Sequence, residues 1–129
     1  MLDTNIASFM IRGGNPNIRK RLNRVPLSNV CVSVITQAEL LYGIELKPEA
    51  INLKNLVREF LLRPAILPWD ERAAIEYAVL CASLARAGTP MGNLDTMIAS
   101  HALSVNATLV TNDNSFSRVV GLKVKDWSK

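Results

Sequence analysis

Apolar residues fall along this chain in two kinds of run. NVCVSVI (29–35) is β-branched and almost unbroken, the pattern of a strand covered on both faces by helices. TQAELLYGIEL then switches to helical spacing, with Glu39 in its first turn and Thr36 and Glu39 at the spacing of a capping box. INLKNLVREFLL sets Leu53, Leu56, Val57, Phe60 and Leu61 on one helical stripe, which Pro64 ends. AILPW reads as a short strand. DERAAIEYAVLCASLARAG begins at an N-cap candidate, Asp70, stripes Ala74, Tyr77, Ala78, Cys81, Leu84 and Ala85, and stops at Gly88 as the C′ residue. LDTMIASHALSVN is a further helix, followed by the strand ATLVT, the turn NDNSF and a short last strand around GLKVKDW. Strands separated by helices predict an α/β fold, a parallel sheet with helices on both sides.

A length of 129 residues with 49% hydrophobic and 20% charged residues fits one globular domain without repeat or linker. The net charge of +4 modestly favours a polyanionic partner. Cys31 and Cys81 lie in apolar runs and read as small buried hydrophobes, which implies a reducing, cytoplasmic home. No signal peptide opens the chain, and no apolar run approaches the roughly 20 residues of a membrane span.

Four acids fall at or near the ends of these elements. Asp3 follows the apolar stub ML, Glu39 lies just after NVCVSVI, Asp95 opens the helix LDTMIASHA, and Asp113 follows ATLVT. In parallel α/β sheets strand-to-helix junctions lie at the carboxyl ends of the strands, where ligands bind near the reversal of strand order. Three of the four acids sit at such edges, and Asp95 joins them if its helix starts there. Each acid has a plain structural use: Asp3 and Asp95 as helix caps, Glu39 in its capping box, Asp113 in an Asx turn. Capping does not require four acids to share one edge, whereas binding a hard divalent cation does. Without a cation, clustered carboxylates repel and at least one pKa rises.

Read in order, MLDTNI, SVITQAELLYGIE, GNLDTMIASHALSVNATLVTND, then FSRVVGL and a closing DW resemble the PIN-domain ribonucleases of the VapC toxin type, over essentially the whole chain (1–129, a single PIN domain). The resemblance implies a three-layer α/β/α sandwich around a parallel sheet of about five strands. It also implies a Mg²⁺- or Mn²⁺-dependent endoribonuclease acting on tRNA or rRNA, a VapB-like antitoxin as partner, and a homodimer. The family's acids map to Asp3, Glu39, Asp95 and, for the most variable, Asp113, as catalytic and metal-holding residues. Two positions depart from the family pattern: only Met1 and Leu2 precede Asp3, and Ser115 stands where a further acid is common.

Asn5, Thr111 and Asn112 are candidates for orienting the carboxylates, though all three are also ordinary turn or capping residues. Arg12, Arg19, Lys20, Arg21 and Arg24 form the densest basic run, either a solvated helix face or a grip on RNA phosphates. Apolar residues on segment 53–61 are core, a dimer surface or a seat for an antitoxin helix. His101, the only histidine, is six residues beyond Asp95 and reads as structural. Phosphotransferases of the haloacid-dehalogenase type also begin with an Asp after a strand, but they need a second Asp where this chain has Asn5. A non-catalytic PIN-fold module that binds RNA or a partner remains the alternative; it predicts a lost ligand, and Asp3, Glu39 and Asp95 are all present.

Overall fold

In the computed structural model, which describes residues 1–129, the middle of the sheet is a single residue. Leu2 bridges in parallel to Val32 on one side and to Val110 on the other. On the first side β1 (Cys31–Ser33) pairs in parallel with β2 (Ala65–Leu67); on the second β3 (Leu109–Val110) pairs in parallel with β4 (Val124–Lys125). The order is therefore β2, β1, Leu2, β3, β4, five parallel segments as expected. Backbone bonds join the halves: Leu2 N–H donates to the Cys31 carbonyl (2.9 Å), Val110 N–H to that of Met1 (2.8 Å) and Asp3 N–H to that of Val110 (3.0 Å).

Because successive strand residues point to opposite faces, Met1 and Leu109 enter one core and Leu2 and Val110 the other. The Leu2 core packs against α1 (Thr4–Arg12), α2 (Pro16–Leu22), α3 (Val34–Glu45) and α4 (Ile51–Leu61) through Ile6, Ile18, Leu40, Val57 and Phe60. The Met1 core packs against α5 (Glu71–Arg86) and α6 (Asn93–Ser104) through Leu80, Leu84, Ile98 and Ala102. This gives the three-layer sandwich. No helix is long and apolar enough to cross a membrane.

Several local expectations need correction. The strand in NVCVSVI is only three residues long, because the Ser33 side chain accepts the Ile35 N–H (3.1 Å) and starts α3 at Val34. Thr36 is consequently buried inside the helix rather than capping it, and Glu39 lies in the second turn. On α5 the buried residues are Ala73, Leu80 and Leu84, while Ala74, Ala78 and Ala85 are exposed. That helix is apolar nearly all round, with Ile75 62% and Val79 64% exposed, so spacing alone does not select its inner face. Leu56 is 46% exposed. Both cysteines are free, as expected, but only half-buried. Asp70 caps α5 through the Ala73 N–H (3.1 Å), and Gly88, at φ +68°, closes it.

Candidate active site

The chain runs from Leu2 to β1 and β2 on one side, then crosses to β3 on the other, so strand order reverses between Leu2 and β3. Asp3 stands at the carboxyl end of that position. It is 4% exposed, and its Oδ1 accepts the Ile6 N–H at 2.8 Å to cap α1. Asp113, three residues past β3, accepts the Ser115 N–H (2.8 Å) while its own N–H donates to Thr111 Oγ1 (3.0 Å). Asp95 is the third residue of α6, not its cap; Gly92 holds that position without any side-chain bond. The carboxylate of Asp95 is therefore not engaged in capping. Glu39, half-buried on α3, accepts a hydrogen bond from Thr4 Oγ1 at 2.8 Å, and Thr36 Oγ1 lies 3.1 Å from the same hydroxyl.

Three of the acids act on one another. Burial first, then the charges of Asp95 and Asp113, push Asp3 up to about 6, against the pull of the Thr111 hydroxyl and the Ile6 N–H. Asp95 is raised as well, by burial and then by Asp113. Glu39 is not among the charges acting on Asp3; it adjoins through Thr4. No three His, Cys, Asp or Glu side chains close round one point as a ready set of direct ligands. The donors offered are hard oxygens in excess negative charge. That suits an ion such as Mg²⁺, which keeps several waters and takes only one or two carboxylates directly.

Thr111 is buried beside Asp3, whereas Asn5 and Asn112 are exposed and their side chains make no hydrogen bond to a carboxylate. Arg12, Arg19, Lys20, Arg21 and Arg24 are all exposed; none is ion-paired, since the single salt bridge of the chain is Arg63–Glu59 (3.1 Å), and Arg21 donates to the Lys129 carbonyl (3.0 Å). Arg12 nonetheless shares a groove of about 250 Å³ with Thr4, Glu39 and Lys47, so one end of the basic run meets the acid edge. Sequence reasoning missed Thr4 and read Thr36 only as a cap. The available signal was a hydroxyl adjoining Asp3 and another three residues before Glu39, one helical turn away.

A protein-family model described as PIN domain matches residues 1–122. The chain is 44% identical over 130 residues to the tRNA(fMet)-specific endonuclease VapC of Salmonella typhimurium, covering 98% of this chain and 96% of that one. Among solved structures, it is similar to DNA-bound VapBC from Salmonella typhimurium (TM-score 0.92, 41% identity, 98% of this chain and 96% of the other). It is also similar to VapBC2 from Rickettsia felis bound to a DNA fragment from their promoter (TM-score 0.91, 32% identity, 98% and 97%).

Proposed function

Since the chain belongs to the PIN-domain family, within its VapC branch, we propose that it is an endoribonuclease that needs Mg²⁺ or Mn²⁺, cuts a structured RNA of the tRNA class, and is restrained by a small VapB-like antitoxin. The observation that carries this reading is Asp3, a buried carboxylate at the strand-order reversal, raised to about 6 beside two more acids. Residues 1–129 would act as one catalytic domain, as a homodimer.

Asp3, Asp95 and Asp113 would hold the cation, with Glu39 nearby on α3. Such a cation supplies a lowered pKa for an attacking water and stabilises charge growing on a phosphoryl oxygen. The chain's own residues supply the rest. Capping of α1 and the neighbouring Thr111 hydroxyl fix Asp3, while Asp113 is fixed by the Ser115 N–H. Thr4 keeps the Glu39 carboxylate from swinging into solvent. Arg12 and Lys47 line the groove beside Glu39, where an RNA backbone would lie, and their charge offsets the repulsion between phosphates and the acid edge. A second cleft of about 380 Å³ between α1, α2 and α4, lined by Phe9, Met10, Leu22, Leu56 and Phe60, suits the apolar face of an amphipathic antitoxin segment.

Purified protein incubated with tRNA should cleave it only when Mg²⁺ or Mn²⁺ is present, and Asp95→Asn should not. Undiminished cleavage in excess EDTA would overturn the reading. Expression alone should arrest bacterial growth and co-expression of the adjacent small gene should restore it; unaffected growth would favour a non-catalytic module.

A further inference from the structure

His101 is 1% exposed and has one ring nitrogen without a partner: Nε2 makes no hydrogen bond, while Nδ1 lies 2.6 Å from Ser33 Oγ. A buried ring nitrogen with only the Pro68 carbonyl near the ring and no well-formed hydrogen bond costs stability that a leucine at the same place would not. Something must offset it, and the bond to Ser33 is what the histidine adds.

Ser33 stands where the two layers meet. It is the last residue of β1; Val32 points into the Leu2 core, and strand alternation turns Ser33 toward α6. Yet the same Oγ accepts the Ile35 N–H and starts α3, whose later turns pack on the opposite face through Leu40 and Ile44. Because that oxygen already accepts, its own proton is free to donate to Nδ1, which sets the tautomer with the proton on Nε2. Burial keeps the ring neutral, lowering its pKa against the opposing pull of Asp70 and the Pro68 carbonyl. The start of α3 also meets α6 directly, Ile35 packing against the core that α6 lines, and at that contact the bond between Ser33 and His101 is the polar tie between the helices that carry Glu39 and Asp95.

We propose that His101 is a positioning residue: through Ser33 Oγ it ties α6 to the start of α3 and so sets Asp95 and Glu39 at their working separation. This rests on the ribonuclease reading. It adds a role for a side chain outside the acid edge, since His101 acts through Ser33 rather than on RNA or cation.

Two substitutions separate this role from plain packing. His101→Leu keeps most of the volume but removes the acceptor; His101→Asn is smaller but places an amide oxygen near the position of Nδ1. The leucine variant should lose on the order of 10- to 100-fold in kcat with little change in KM, the scale of a misplacement near 1 Å. The asparagine variant should stay within about threefold of wild type in kcat despite the lower Tm of the two, because its void is larger. Activity and stability thus rank the variants in opposite orders. A kcat that follows Tm, or wild-type kcat in His101→Leu, would overturn the proposal. Should either variant not fold, Ser33→Ala tests the other end of the tie, with loss of kcat expected and Ser33→Thr restoring it; full activity in Ser33→Ala would overturn it equally. Wild-type protein that cleaves no RNA with either cation would sink the ribonuclease reading instead. The tie would then be judged by ¹⁵N NMR of the wild-type ring, where an unprotonated Nδ1 supports it and a protonated Nδ1 rules it out.

Discussion

The acid edge and the segment from α1 to α2 both crowd like charges, three mutually acting carboxylates in one and five cations between Arg12 and Arg24 in the other, but in different surroundings. The cations are exposed and unpaired, so water and salt screen them and crowding costs little. The acids are buried or half-buried, and Asp3 holds its proton to about 6. Crowding by itself therefore says little about function. Crowding combined with burial is unfavourable unless a counter-charge arrives, and this is the ground for proposing a cation at the acid edge and only long-range attraction at the basic segment.

Neutralising each region in turn separates the two. Asp3→Asn, Glu39→Gln or Asp95→Asn should each reduce cleavage by at least about 100-fold in kcat, and Asp113→Asn by about tenfold, in single-turnover assays with Mg²⁺. Losses from the basic residues that match those from the acids would erase the distinction.

Stability should move the other way. For Asp3 the folded pKa of about 6 exceeds the ordinary 3.8, so its contribution is unfavourable at neutral pH, grows as pH rises from 3.8 to 6 and is absent below that window. The difference amounts to about 3 kcal/mol at neutral pH, in order of magnitude. Asp3→Asn, which keeps the cap, should raise Tm in EDTA at pH 7.5 and leave it unchanged near pH 3.5. Mg²⁺ at about a hundredfold excess over its Kd should stabilise wild type by about 2.7 kcal/mol at pH 7.5, less at pH 5, and Asp3→Asn far less. Equal Mg²⁺ shifts in both proteins would remove Asp3 from the cation site.

Thr4→Val, which frees Glu39 without touching a charge, should cost about tenfold in kcat, the usual scale for a residue that orients a ligand. The smallest effect belongs to the cations. Neutralising Arg19, Lys20, Arg21 and Arg24 should weaken RNA binding and flatten its dependence on salt by about 0.7 in log–log slope for each phosphate no longer neutralised, with kcat and Tm unchanged. An unchanged salt slope would mean that these residues only keep the surface solvated.

The layered fold was legible because strands such as NVCVSVI and ATLVT differ in spacing from the helices between them, and the Asp caps at positions 3 and 70 were legible from residue type. What escaped has physical causes. Val34 and Ile35 resume the apolar β-branched run after Ser33, so nothing in the spacing marks Ser33 as the cap that turns strand into helix. α5 is apolar on most of its circumference, and its buried face is chosen by the core it meets. At the site, the acids could be named, but Thr4 and His101 could not be assigned to Glu39 and Ser33, because their partners are 35 and 68 residues away.

The single-residue centre of the sheet bears on when the site can exist. The Met1 amino group donates to the Thr108 carbonyl at 2.8 Å, across 107 residues, and the Asp3 N–H must wait for Val110. On the ribosome Asp3 is made long before Val110, and the bond that places it waits for Val110, since contacts so distant along the chain form late. A nascent chain carries Asp3 and Glu39 long before β3 and Asp113 emerge, and through that interval it has no assembled acid edge. The fold thereby delays the site until β3 and Asp113 have left the ribosome.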